Sequence, residues 1–417
     1  MASSHLVPRL CSFLCIITLL YAQPSHLPNH AVVLPVTKDP SSLQYLTKLS
    51  NGRSLVPVML VLDLAGPFLW VDSVSNLVSF STRRVPSCSL QCSSFSAKAL
   101  GLKIKTCFSA THSNICDVPA QNSITKLATR SELVEDLIAI NPSNKGSKSG
   151  KITNLDKFLF SSAPSFLLNG LASGARGMLG LGMTTTSLPS QLALTFGFQR
   201  KFTTCLSQSN GLVLFGNESV DPIFGTELTK SLLYTPLADP AGGGGSQEYF
   251  ITVKSINVNG KQLDLNNQEG AIGWARISSV VPYTTLENSI YNTFVKAYSE
   301  AANSMNITRV APVAPFGLCF SSKEVASGAV GPVVPTIDLT LQSKMVKWRI
   351  NGRNSMVRLS DGVMCLGLVD GGLNSNIPIV IGGFQLEDNL LEFDLGTRML
   401  GFSNSLLRFQ RSCSDML

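Results

Sequence analysis

Two stretches of this chain repeat one design, and the repeat limits the folds open to it. The first reads Val61-Leu62-Asp63-Leu64-Ala65-Gly66-Pro67-Phe68-Leu69-Trp70-Val71. An apolar run meets an acid, turns, and becomes apolar again. Far downstream comes Gly177-Met178-Leu179-Gly180-Leu181-Gly182. The second stretch reads Ala275-Arg276-Ile277-Ser278-Ser279-Val280-Val281-Pro282-Tyr283-Thr284, followed at similar distance by Ile379-Val380-Ile381-Gly382-Gly383. Each half therefore pairs a turn-bearing strand with an apolar strand ending in glycine. Duplication of one β unit predicts two lobes with a cleft between them. Only the first half carries a carboxylate at the turn; Ser278 stands at that place in the second.

Short β-like runs recur elsewhere, at residues 57–63, 212–215, 250–258, 377–381 and 391–394, separated by Gly, Pro, Asn and Ser. Two segments read as helical. One is 187–196, with Pro189 near its start. The other is 284–302, where Leu286, Ile290, Phe294, Val295 and Tyr298 follow helical spacing. The glycine run in 241–247 reads as a mobile surface loop.

The chain has 417 residues, 44% of them apolar and only 14% charged, which suits β-rich globular structure. Its net charge of +7 is scattered along the sequence rather than clustered, which argues against nucleic acid as a partner. Residues 1–22 read as a signal peptide. Arg9 supplies the basic region, residues 10–20 the apolar region, and Ala22 the cleavage site. The apolar run is shorter than the ~20 residues a membrane span needs, so no membrane association is expected after cleavage. Cys11 and Cys15 leave with the signal. Eight cysteines remain: Cys88, Cys92, Cys107, Cys116, Cys205, Cys319, Cys365 and Cys413. An even count in an exported chain implies disulfides, and the first four are expected to pair among themselves. Their spacing lacks histidine partners, which argues against zinc. Sequons at Asn217 and Asn306 fit a glycoprotein.

The two turn-bearing strands are similar to the active-site strands of pepsin-type aspartic proteases. More specifically, the chain resembles the plant extracellular pepsin-fold proteins that include xylanase inhibitors, xyloglucan endoglucanase inhibitors, extracellular dermal glycoprotein and basic seven-S globulin. The resemblance is carried by Phe68-Leu69-Trp70-Val71-Asp72, Leu188-Pro189-Ser190-Gln191, Val310-Ala311-Pro312-Val313-Ala314-Pro315-Phe316-Gly317, Asn354-Ser355-Met356-Val357 and Val380-Ile381-Gly382-Gly383-Phe384-Gln385-Leu386-Glu387-Asp388-Asn389. It continues into Phe393-Asp394 and Leu400-Gly401-Phe402-Ser403. It implies an all-β, bilobal pepsin-like fold, two β-barrel-like lobes with a few short helices. An N-terminal lobe over 23–208 would be followed by a C-terminal lobe over 209–417. It also implies disulfides Cys205–Cys413 and Cys319–Cys365. Relatives carry two further cysteines where this chain has Ser73 and Ser162, which reads as the loss of one disulfide as a unit.

A pepsin-type protease activates water with two carboxyls that share a proton, because adjacent like charges drive their pKa values apart. Asp63 alone cannot share one, and the hydroxyl of Ser278 cannot replace the partner. Ala65 also stands where such enzymes keep glycine. The flap is expected near residues 141–152, which contain no tyrosine. Asp63 is thus expected to be vestigial, held by backbone amides of its turn. The histidines, at 5, 26, 30 and 112, leave only His112 for a Ser-His-Asp triad. No phosphate loop or zinc signature is present, so no cofactor or metal is implied.

The resemblance points instead to glycosidase inhibition by loops of the C-terminal lobe. Glycosidases hold two carboxylates around the scissile bond, and an arginine can bond such a pair through its fork of donors. Arg309, Arg408 and Arg411 are the candidate contacts. Arg309 matches an arginine of the glucanase-directed relatives. The histidine used by the wheat-type xylanase inhibitors is absent near Phe409 and Gln410. The expectation is a secreted monomer of the apoplast or cell wall, binding a microbial glycoside hydrolase, a xyloglucan-specific endoglucanase in preference to a xylanase. The competing expectation is an extracellular globulin that stores nitrogen or binds a peptide in the vestigial cleft around Asp63.

Overall fold

The computed structural model describes residues 31–51, 56–79, 81–99, 114–141, 152–216, 221–240, 242, 246–265, 272–373 and 376–416. Residues 1–30, with the expected signal peptide, Cys11, Cys15, His5, His26 and His30, together with Cys107, His112, Asn217 and most of the glycine-rich loop, lie outside the described residues. Strands dominate the rest. The largest sheet has 14 strands and draws on both halves of the chain. Its middle runs Leu390–Asp394, Lys201–Cys205, Asn210–Phe215, Val32–Lys38, Tyr45–Asn51, Pro57–Asp63 and Gly177–Gly180. Lys201–Cys205 pairs antiparallel with Leu390–Asp394, Phe202 facing Phe393, and this pairing joins the halves. The turn at 208/209 connects Lys201–Cys205 to Asn210–Phe215, two strands that stay paired.

Apolar contact reinforces the join. The rings of Phe202 and Phe393 stack at 4.9 Å, and Tyr249 packs on Phe393 at 4.5 Å. All three side chains are buried, and the Tyr249 hydroxyl donates to the Leu181 carbonyl at 2.7 Å.

The repeat in the sequence becomes a repeat in space. Pro57–Asp63 runs parallel to Gly177–Gly180, with Asp63 opposite Gly180. Gly273–Ile277 runs parallel to Ile379–Ile381, with Ile277 opposite Ile381. The next residues along these two strands are Ser278 and Gly382. Glycine is required at 180, because a Cβ there would lie 2.4 Å from the Gly66 carbonyl oxygen.

Two segments differ from the sequence reading. Residues 250–258 read as one strand, but the chain changes sheets at Lys254. Phe250–Val253 pairs with Gly273–Ile277, and Ser255–Val258 pairs with Ile337–Thr340. The helical segment begins later than expected. Thr284–Leu286 is a strand held by Leu368–Asp370, and the helix is Asn288–Ser304, capped by the Glu287 carboxylate on the amides of Ser289 and Ile290. The helix Leu188–Phe196 follows Ser187 and carries Pro at its start, as the sequence suggests.

Candidate functional site

Asp63 ends its strand fully buried. Its Oδ1 accepts the Ala65 amide at 3.0 Å, and its Oδ2 accepts the Ser123 hydroxyl. The carboxylate is therefore held by one backbone amide and one distant side chain, not by turn amides alone. Burial pushes the carboxyl up from its usual range; the Ser123 and Ala65 hydrogen bonds oppose this, Glu248 adds to it, and Lys126 opposes it weakly. The space beside Asp63, lined by Gln121, Trp70 and Met178, amounts to about 10 Å³. That is the lower limit for one water molecule.

Ser123 belongs to the turn 122–127 joining strands Asp117–Gln121 and Ala128–Ile140. This hairpin overlies Asp63; of the flap expected near 141–152, residues 142–151 lie outside the described residues. Asn122 fastens the turn. Its Oδ1 accepts the amides of Ile124 and Thr125, and its Nδ2 donates to the carbonyls of Leu167 and Asn169. No tyrosine occurs between Asp117 and Ala128. Lys126 is exposed on the turn, yet its ammonium is pushed down by partial desolvation and then by Arg276, with Glu248 and Asp63 opposing. Arg276 bonds Glu248 at 2.9 Å. Asp63, Lys126, Glu248 and Arg276 thus form one set of interacting charges drawn from both halves.

On the other side, the Ser278 amide donates to the Ile381 carbonyl, and its hydroxyl accepts the Val281 amide at 3.3 Å. Ser279 has a role that sequence reasoning missed. Its buried hydroxyl donates to the Leu62 carbonyl at 2.7 Å and accepts the Leu64 amide at 3.0 Å, tying the two turns together. The signal was its place in the repeat, one residue after Ser278. The tie is one-sided because its counterpart, Leu64, has no hydroxyl to return.

Chemically the site offers one buried, hydrogen-bonded carboxyl. The raised folded pKa of Asp63 has a sign: stability from the protonated form is full below the unfolded value and lost as pH rises through the folded one. Asp63→Asn should therefore raise the melting temperature at neutral pH. The gain should vanish near the unfolded value of about pH 3.9. Thermal unfolding across pH checks this; a variant less stable than the parent at pH 7 would refute it.

The arginines differ in their engagement. Arg309 lies on strand Arg309–Val310, paired with Cys319–Ser321, and the bonded pair Cys319–Cys365 braces that sheet. Its side chain is exposed and, among the described residues, has no hydrogen bond or ion pair. It helps line a groove of about 840 Å³ with Ser299, Asn306, Thr308, Phe320 and Glu324. Arg408, on the short helix Leu406–Phe409, is likewise exposed and unpaired among the described residues. Arg411 is also exposed, and one of its guanidinium donors bonds the Phe224 carbonyl beside the Cys205–Cys413 disulfide. Neither Arg408 nor Arg411 lines the Arg309 groove. Cys92 bonds Cys116; Cys88 is exposed, and Cys107 lies outside the described residues. Among the described residues no His, Cys, Asp and Glu cluster could hold a metal, and no helix is long and apolar enough to cross a membrane.

Comparison with known proteins places this arrangement. Residues 45–217 match the family model described as xylanase inhibitor N-terminal, and residues 248–404 match xylanase inhibitor C-terminal. The chain is 43% identical to a probable aspartic proteinase GIP2 of Nicotiana benthamiana, covering 97% of this chain and 96% of that one. It superposes on the crystal structure of edgp with a TM-score of 0.83 at 44% identity, covering 94% and 99% of the two chains. For basic 7S globulin from soybean the TM-score is 0.79 at 33% identity, covering 94% and 99%. An aspartic proteinase from Irpex lacteus, 14% identical with a TM-score of 0.58 over 91% and 98% of the chains, shares the fold. The chain belongs to the xylanase-inhibitor family, built on the pepsin-like fold of the aspartic proteinases.

Proposed function

We propose that this protein is a secreted, proteolytically inactive pepsin homologue that inhibits microbial cell-wall glycosidases, with lobes over 23–208 and 209–417. The carrying observation is the contrast between its two regions. The cleft holds one acid, sealed under a fastened hairpin, with Ser278 in the second acid's place. Arg309 and Arg408 are exposed and unpaired among the described residues. A guanidinium without an internal partner is ready to bond the catalytic carboxylates of a glycosidase bidentately. The Arg309 match favours a xyloglucan-specific endoglucanase over a xylanase. Arg411 stays in the contact set, exposed and with one guanidinium donor bonded to the Phe224 carbonyl.

The test is inhibition of a fungal xyloglucan-specific endoglucanase and a fungal xylanase by the purified protein. Arg309→Ala should raise the glucanase inhibition constant by about tenfold, equivalent to ~1.4 kcal/mol. A change smaller than roughly threefold would remove Arg309 from the contact. The likeness to basic 7S globulin supports a second reading, an extracellular globulin without inhibitory activity. Failure to inhibit either enzyme at micromolar excess would favour it. Peptide binding in the cleft around Asp63 is the other form of this second reading.

A further inference from the structure

We infer that an N-linked glycan on Asn306 covers the Arg309 groove, so that glycosylation controls access to this arginine. The inference rests on the inhibitory reading above and adds its regulation. Asn306-Ile307-Thr308 is an acceptor sequon, and the fold presents it outward. The helix Asn288–Ser304 ends in a turn closed by bonds from the Met305 amide to Ala302 and from the Asn306 amide to Asn303. Asn306 then takes a φ of 58°, left-handed backbone that asparagine adopts more readily than most residues. Ile307 is buried and anchors the segment, while Asn306 and Thr308 on either side are exposed. The Asn306 side chain has no hydrogen bond among the described residues.

Asn306 and Arg309 line the same groove. Three residues separate their Cα atoms by at most ~11 Å of extended chain. An interface of standard size covers ~800 Å² per partner, a disc of about 16 Å radius. If Arg309 sits near the centre of the contact, Asn306 lies inside its footprint. A glycan there is bulky and hydrophilic, and it would have to be displaced before a glycosidase could approach. Modification would precede folding. The Asn306 amide nitrogen attacks the anomeric carbon of a lipid-pyrophosphate-linked oligosaccharide, the new N–C bond forms, and the lipid pyrophosphate and one proton leave. The bond from Thr308 to Glu324 in the folded chain is then no obstacle.

The full chain, with Asn217→Gln to remove the other sequon, is secreted from plant cells. Site occupancy is read by peptide mass. The native protein is then compared before and after enzymatic removal of the glycan, alongside Asn306→Asp. Arg309 should react with phenylglyoxal about fivefold faster once the glycan is gone, Arg408 serving as internal control. The glucanase inhibition constant should fall by about tenfold. An unmodified Asn306 in the secreted chain, or Arg309 labelling that differs by less than about twofold, overturns the inference. Slowed labelling with no inhibition by either form supports the glycan cover and instead removes the inhibitory reading.

Discussion

Lys38→Met is expected to destabilise the protein by about 3–5 kcal/mol at neutral pH. Lys38 Nζ lies 2.5 Å from Glu387 Oε1, and the side chains are 9% and 1% exposed. The Tyr45 hydroxyl donates to the same oxygen at 2.9 Å, and the ammonium sits 5.5 Å from the centre of the Tyr45 ring. The pair fixes the first strand of the chain, Val32–Lys38, to the segment after the helix Gly383–Leu386. Without Lys38 a buried carboxylate loses its counter-charge, the costly half of breaking such a pair.

The loss should depend on pH in a definite direction. Burial already raises the Glu387 carboxyl above its ordinary value despite Lys38. A group with a raised folded pKa contributes stability that is full below the unfolded value and lost as pH rises through the folded one. In Lys38→Met, protonated Glu387 relieves the penalty, so the difference from the parent should shrink as pH falls. Adding Glu387→Gln removes the charge outright and should recover most of the loss. Urea unfolding of the four proteins in a double-mutant cycle measures this. A single-mutant cost below about 1 kcal/mol would refute it.

Ser73→Cys with Ser162→Cys is expected to stabilise the protein by about 2–4 kcal/mol. Trp70–Asp72 runs parallel to Thr153–Ala163, with Val71 opposite Ser162, and the Ser73 amide donates to the Ala163 carbonyl at 2.9 Å. Ser73 thus lies just past the end of its strand, two residues beyond the register partner of Ser162. A bond between the two positions would close a loop of about 90 residues, and the entropy removed from the unfolded chain grows with loop length. Thiol titration, peptide mapping and thermal unfolding decide the matter. Two titratable thiols surviving oxidation, or an unchanged melting temperature with the bond formed, would count against it.

The legible part of this protein was what repeats or alternates locally. The parallel pairs at Asp63/Gly180 and Ile277/Ile381 follow from apolar runs ending in a turn or glycine, which the sequence displays. What stayed hidden depends on residues far apart in the chain. The sheet change at Lys254 falls inside a run that reads as one strand; the Lys254 amide bonds the Thr340 carbonyl. The hairpin over Asp63 is identified by Ser123, 60 residues away in sequence, and nothing in its own composition marks it as a cover. Arg411 is a surface arginine, and its bond to the Phe224 carbonyl, 187 residues away, could not be read from its own segment. Ser279 was visible in the repeat but carried no chemical signal until its hydroxyl met Leu62 and Leu64.

The strand pairing that unites the halves also sets a schedule for synthesis. Lys201–Cys205 emerges from the ribosome long before Leu390–Asp394, and Cys205 precedes Cys413 by 208 residues. At ~5–20 residues per second that interval is roughly 10–40 s. Throughout it the nascent N-terminal half presents an unpaired strand edge, with Phe202 awaiting Phe393, the kind of edge that recruits strands from other chains. Export into an oxidising compartment rich in chaperones would thus protect this chain during the interval in which half of its central sheet has yet to be made.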